Sequence, residues 1–447
     1  MWTVEQENAL KHLFRAFDEN KIRWMVFRNF EGLPEKNTSK DVDLLVKRED
    51  IPKACKVLCQ TMKECGYARM TYDRFQCIWC YSFFKEIVGK CDSIKIDLFY
   101  GQVWRGIPTV SFNQIYSTAV NYNGFKVPNP VMDAFLLWIK PIMTGGKVKE
   151  KYIPQILSYG KTEKFQELIK DTFGYGFQQK VSGLFETKED ILSTKKYKEE
   201  MRKISWRKGF IKKPIDGISA CFMHYFLEVI RRFHRPKGTV ICVLGPDGVG
   251  KSTVIDMLKE KATDAFIRDE DKLEIIHFRP NILPNIKKLL SRNYDESKEE
   301  FTNPHRAKPA GKVSSCIRLA YYWLDYWLGK GMLRKKCING QIIIFDRYSY
   351  DFIVDPRRTR ISLNSKIIEF FMQKVPTPDK VFVLSAPAEV IYSRKKELEI
   401  DEIERQLLEY ERLCKATNLF VKIEATKSPE EISDIILNKW IQTLDKV

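Results

Sequence analysis

Gly245, Gly250, Lys251 and Ser252 fall at the spacing G-x-x-x-x-G-K-[ST]. The residues before them, Thr239 to Leu244, read as an apolar strand, and those after, Thr253 to Glu260, as a helix. That strand, loop and helix order is the setting the pattern needs to bind phosphate. Backbone N–H groups from Gly245, Gly248, Val249 and Gly250 to Thr253 would wrap the phosphates of ATP at the positive end of the helix. Lys251 would reach the β- and γ-phosphates, and the Ser252 hydroxyl would hold Mg²⁺.

Other residues fit the same chemistry. Ile342 to Phe345 is an apolar run that ends in Asp346, followed by Arg347. A carboxylate at the end of a buried strand suits a Mg²⁺ ion and its water shell, and Arg347 would reach back toward bound phosphates. Arg279 follows another strand-like run, Glu274 to Phe278, where it would meet an acceptor phosphate or carboxylate. Arg357 and Arg358 follow a turn and either clamp anions or face solvent. Tyr321, Tyr322, Trp323, Tyr326 and Trp327, downstream of Asn303 to Arg306, either line an acceptor pocket or belong to the core. A charged stretch from Arg394 to Arg405 reads as a lid that closes over ATP or as a solvated amphipathic helix.

A second centre lies far upstream. Asp41 and Asp43 are two residues apart, so on a strand both carboxylates point to one face and can bracket a divalent metal. Asp97, in the strand-like run Ile94 to Phe99, is a third ligand candidate. If Asp41 and Asp43 merely ended a hairpin edge, Asp97 would be left unexplained.

Taken together, the glycine loop, the Phe-x-Arg-Pro around Arg279, the Asp346–Arg347–Tyr348 run, the Arg394 segment and the stretch from Ile423 to Glu431 resemble the thymidylate kinase-like branch of P-loop kinases, over 238–447. The resemblance implies that Asp247 sits by the acceptor, Arg279 receives the acceptor phosphate, and Asp346 and Arg347 flank the transferred group. It also places Arg394 at the start of the lid and Thr426 to Pro429 by the adenine. The chain after Arg279 departs from the authentic thymidylate kinase pattern. It resembles bacterial kinase-like proteins linked to surface-polysaccharide gene clusters. The acceptor is therefore open among a nucleotide, a sugar phosphate and a polyol phosphate.

The carboxylates of Asp41, Asp43 and Asp97 resemble those of nucleotidyltransferases with a minimal polymerase-β-like fold, over about 20–160, which use two metals. The glycine–serine pair of that family is absent, and Phe27 to Phe30 stands in its place, where Arg28 would take over part of the anion binding. A fused pair of this kind would phosphorylate a metabolite and then activate it with a nucleotide, as cell-surface glycan precursors require.

The elements that must position these residues are legible as periodicity. Strands are expected over 239–244, 274–278, 341–345, 380–384 and 420–423. Helices are expected over 252–262, 312–328, 362–373, 387–397, 401–415 and 429–444. This alternation predicts an α/β fold, a parallel sheet covered by helices, preceded by an α+β domain. A chain of 447 residues exceeds a single core, and the expected division is 1–190, a basic helical connector over 191–235, and 236–447.

The net charge of +18 admits nucleic acid or an acidic membrane surface, and suits phosphorylated small molecules equally. No nucleic-acid motif accompanies it, so an ATP-gated regulatory or nucleic-acid-binding protein is the competing class, distinguished by steep salt dependence that survives loss of Lys251. From Lys195 to Lys213 there are nine Lys or Arg against two Glu, the mark of a solvated linker helix or of a membrane or nucleic-acid dock. The 11 cysteines are scattered; Cys77 and Cys80 have CxxC spacing but no second pair to complete a zinc site. With no signal peptide and no membrane span, a reducing cytoplasm is expected, and a homodimer is compatible with the sequence.

Overall fold

Val42 to Val46 and Val240 to Leu244 are almost uninterrupted runs of apolar residues, the signature of strands buried on both faces. Each founds its own sheet. The computed structural model describes residues 2–37, 39, 41–75, 78–212, 238–266, 272–284 and 310–444, with positions 218, 222, 226, 230 and 233. Cys77, Asn303 to Arg306 and part of the connector expected over 191–235 lie outside these. The chain forms two compact units, 1–85 with 92–231, and 86–91 with 232–447.

The first unit is α+β. Its sheet takes β1 (Trp24–Arg28), β2 (Val42–Val46), β3 (Ala68–Phe75), β4 (Ile78–Ile87) and β5 (Lys90–Phe99) in the order β1-β2-β5-β4-β3. Two short hairpins follow, β6 (Gly101–Trp104) with β7 (Ile107–Ser111), and β8 (Ala119–Tyr122) with β9 (Phe125–Pro128). The pairing of β2 with β5 is parallel, and it sets Asp43 directly beside Asp97.

Strand alternation then decides which way each side chain points. Leu44, Ile96 and Leu98 join a core with Leu13 and Phe17 of the Val4–Glu19 helix and Leu58 of the Ile51–Glu64 helix. Leu45 and Phe99 face the other way, into a core with Phe135, Trp138 and Ile142 of the Pro130–Thr144 helix. Asp43 and Asp97 share the parity of Leu45 and Phe99, so they lie on the face covered by that helix.

The basic run includes the Lys198–Lys212 helix, which is anchored within this first unit. Met201 is fully buried, and Arg202 donates from Nε and NH2 to the Met143 carbonyl at 2.9 and 2.7 Å.

In the second unit, every strand pairing is parallel: β10 (Val240–Leu244) with β12 (Ile342–Asp346) and with β13 (Lys380–Ser385), β11 (Leu273–His277) with β12, and β13 with β14 (Phe420–Glu424). The order is β11-β12-β10-β13-β14. Each strand lies within a residue of its expected bounds, and the helices fall at Lys251–Ala265, Lys312–Ile338, Ser365–Met372, Ala388–Arg394, Ile400–Ala416 and Pro429–Leu444. On one face Tyr326, Leu333, Tyr410 and Leu413 pack on Cys242, Leu244, Phe345 and Val381.

This is an α/β fold of the P-loop type. The chain leaves central β10 with a neighbour on each side, so a crevice opens beyond its carboxyl end, where open α/β sheets bind ligands. The glycine loop sits there. No helix among the described residues is long and apolar enough to cross a membrane.

Candidate active site

The loop from Gly245 to Gly250 links β10 to the Lys251–Ala265 helix. Gly245 and Gly248 have positive φ angles of 147° and 87°, and a Cβ at Gly248 would stand 2.9 Å from the Lys395 Cβ. Only glycine allows both the turn and the approach. The helix starts at Gly250 with no side-chain cap, so its first N–H groups are offered to a ligand. Ser252 and Thr253 are exposed at that end.

Lys251 is buried, with Nζ donating to the carbonyls of Gly245 at 2.8 Å and Pro246 at 2.7 Å. Burial, and then the neighbouring Arg347, push its pKa down to about 7. Its nearest carboxylate, Asp247, stands 3.9 Å away and is itself gripped by arginines, so a phosphate would add charge compensation that the loop carbonyls do not give.

At the end of β12, Asp346 is buried; its Oδ2 meets His277 Nδ1 at 3.1 Å, while its Oδ1 has no hydrogen-bond partner. That orphaned oxygen and the Ser252 hydroxyl are hard donors of the kind Mg²⁺ takes. Arg347 adopts a left-handed backbone conformation, φ 73°, which costs any residue with a Cβ energy and points to a constrained position. Its guanidinium is gripped by Asp247 and Asp351, and Asp351 also accepts from the Tyr410 hydroxyl at 2.7 Å. Arg358 closes on Asp247 from a further direction and is braced by Asp355. The loop carboxylate is thus shared between two arginines.

Arg279 is differently engaged from the expectation that it waits for an acceptor phosphate. Its NH1 meets the Leu283 carbonyl at 3.1 Å and the carboxylate of Asp325 at 3.1 Å, and its NH2 lies 3.5 Å from the Pro284 carbonyl. Asp325 is fully buried and also accepts the backbone N–H groups of Asn281 and Leu283. The pair therefore braces the turn after β11, and an acceptor phosphate would have to compete with those three partners. Arg394 likewise ties elements together, donating to the carbonyls of Val249 at 3.2 Å and Ala425 at 3.1 Å. Arg357 faces solvent. Of the aromatic residues of the long helix, Tyr326 is core, while Tyr322 packs on Phe278 and Phe352 beside Arg279.

In the first unit, Asp41, Asp43 and Asp97 each offer a carboxylate oxygen, all within 4.8 Å of one another. Asp43 Oδ1 and Asp97 Oδ1 are buried without hydrogen-bond partners, which fits a cation held between them. Two internal cations share the cluster. Arg28, opposite Asp43 on β1, pairs with it, and Lys95 contacts Asp41 at 3.0 Å and Asp97 at 3.4 Å. Burial pushes the Asp97 carboxyl up to about 6 and raises Asp43 against the pull of Arg28. For Asp41, Lys95 and the Ser39 hydroxyl outweigh burial and hold the pKa below the usual carboxylate range.

A cavity of about 350 Å³ opens at Asp41 and Asp43. Arg28, Lys140, Lys147, Lys149 and Lys151 contribute to its lining, as does Asp133, whose carboxyl burial pushes up to about 6. A lining that combines carboxylates with lysines has the groups to hold a metal-bound polyphosphate. The missing glycine–serine pair leaves Asn29 in its place, at φ 51°, with its Oδ1 accepting from the Tyr152 hydroxyl at 3.0 Å.

Sequence reasoning missed Asp325, Asp351, Lys95 and the lysines after residue 140. The four-residue spacing of Arg347 and Asp351 and the two-residue spacing of Lys95 and Asp97 were local signals; the other partners meet across long stretches of chain.

No protein-family model matches the chain, and no curated protein does. Among solved structures, the chain is similar to a thymidylate kinase from Candida albicans, with 19% identity, a TM-score of 0.35, and coverage of 47% of this chain and 93% of that one. It is also similar to a thymidylate kinase from Ehrlichia chaffeensis, with 15% identity, a TM-score of 0.31, and coverage of 46% of this chain and all of that one.

Proposed function

We propose that the second unit transfers the γ-phosphoryl group of ATP to a small phosphorylated acceptor: a nucleotide, a sugar phosphate or a polyol phosphate. The observation that carries this reading is Lys251, buried in a glycine loop on two backbone carbonyls and poised for an incoming phosphate. Ser252 and Asp346 would hold Mg²⁺, which supplies charge neutralisation on the β- and γ-phosphates. Lys251 turns from the loop carbonyls to the phosphates. Arg347, fixed by Asp351, steadies charge on the transferred group, while Asp247 and Arg358 set the acceptor's position. An acceptor phosphate oxygen attacks in line and needs no base, so the rate comes from positioning and electrostatics.

In the same protein the first unit would perform metal-dependent nucleotidyl transfer. The supporting observation is the cluster of Asp41, Asp43 and Asp97 at a lysine-lined cavity. Those acids would hold the divalent cation that activates a hydroxyl, and Lys140, Lys147, Lys149 and Lys151 would bind the triphosphate in place of the absent glycine–serine pair.

The test of the kinase reading is incubation with γ-labelled ATP, Mg²⁺ and a panel of nucleoside monophosphates, sugar phosphates and polyol phosphates. The reading predicts label on one acceptor class and its loss in Lys251→Ala. Label on none, with ATP bound normally, would favour a nucleotide-gated binding protein instead.

A further inference from the structure

The Lys312–Ile338 helix is peculiar in what it leaves uncovered. One face packs in the core through Leu319, Tyr326 and Leu333. The other exposes Val313 (75%), Ile317 (63%), Leu324 (44%), Trp327 (40%) and Leu328 (48%). These positions recur at three- and four-residue steps with the exposed Ala320 and Gly331, so they form one stripe along the helix. Beside it, the Ser365–Met372 helix packs Phe371 against Trp323 and leaves Ile367 and Phe370 exposed as well. Exposed apolar residues gathered along one helix face mark an interaction site rather than ordinary surface scatter.

Charge decides what would cover it. The sole acid of the long helix, Asp325, is fully buried on the core side. The exposed charges around the stripe are Lys312, Lys330, Arg334 and Lys335, joined by Lys366 and Lys374 of the neighbouring helix. Lys374 lies 3.6 Å from the centre of the Phe370 ring, and Lys330 lies 5.2 Å from that of Trp327, so cations rim the apolar residues directly. A second copy of the chain fits this poorly. Antiparallel pairing that matches Val313 with Gly331 would bring Lys312 of one copy within a helical turn of Lys335 of the other. An anionic surface meets the same rim favourably.

We propose that this face docks on an anionic lipid bilayer, with Val313, Ile317, Leu324, Trp327 and Phe370 entering the interfacial layer and the lysines pairing with headgroup phosphates. Aromatic and aliphatic residues on one face with lysines at its margin are what interfacial helices use. The Lys198–Lys212 helix of the first unit independently repeats the chemistry. Trp206 and Ile211 are exposed there beside Lys203 and Arg207. The net charge of +18 acts in the same direction. The docking does not depend on the phosphoryl chemistry proposed above.

Vesicle flotation of the full chain tests it, comparing phosphatidylcholine alone with phosphatidylcholine containing phosphatidylglycerol, at low and high salt. Binding to the anionic vesicles alone, weakened by salt, is expected. Ile317→Glu should abolish it, and reversing Lys312, Lys330 and Lys374 to Glu together should weaken it on the order of a hundredfold. Circular dichroism and ATP binding should stay unchanged in both variants. Failure to float, or equal binding to both vesicle types, overturns the proposal. A dimer by light scattering that Ile317→Glu dissociates also overturns it, and would give the face to a second copy.

Discussion

Lys251 is the residue on which most turns, and its titration makes a sharp prediction. Its pKa is lowered to about 7, because burial and Arg347 disfavour the charged form. Bound phosphate reverses that balance and raises it. At pH 8 the free lysine is mostly neutral and the complex protonated, so ATP binding should take up close to one proton and should tighten as pH falls from 9 toward 7. Calorimetry in buffers of differing ionisation enthalpy measures the uptake, and Lys251→Met should remove it. Arg279 offers a second test. If it chiefly braces the turn through Asp325, Arg279→Ala should lower the melting temperature as Asp325→Asn does, and the double variant should be no worse than the singles combined. An effect confined to acceptor KM would instead make Arg279 an acceptor ligand. The chemistry-bearing types, Gly, Lys, Ser and Asp, were readable because their spacing is local. Their partners were less so, since Asp325 and Tyr410 lie far along the chain from the groups they hold, and Lys95, though two residues from Asp97, reaches Asp41 only because β2 lies beside β5.

At the scale of elements, the glycine loop works only while its backbone can turn. Gly248→Ala places a methyl 2.9 Å from the Lys395 Cβ and 3.1 Å from the Ile391 carbonyl at a φ of 87°, costing about 1–3 kcal/mol. Its thermal midpoint should fall, and its ATP affinity more than Gly331→Ala, whose site is open. The strands of the second unit were legible almost to the residue, because parallel strands buried on both faces appear as apolar runs closed by charged or turn residues. The Lys312–Ile338 helix ran ten residues past its expected end at 328. Gly329 and Gly331 lower helix propensity there, but Leu333 and Cys337 continue the buried stripe, and tertiary packing prevails. In the first unit the two acids were legible on their strand; that β2 would lie parallel to β5, and so set Asp43 beside Asp97, is a property of topology.

Across the whole molecule there are two compact units, one holding a glycine loop and the other a cluster of three carboxylates. Divalent metal should bind the first unit through its acids. Asp43→Asn should therefore abolish the Mn²⁺ relaxation or calorimetric signal assigned to that cluster while leaving nucleotide binding at Lys251 intact. The charge could be read from the 447-residue sequence. The lysine-lined cavity could not, because it assembles residues from 27 to 152.

The most direct measurement uses ATP labelled at either the α- or the γ-phosphorus, with wild type, Lys251→Ala and Asp43→Asn compared on the same acceptor panel. The account predicts γ-label transfer that only Lys251→Ala removes, and α-label transfer that only Asp43→Asn removes. Transfer of neither label to any acceptor, or loss of both in each variant, would contradict two separate catalytic centres.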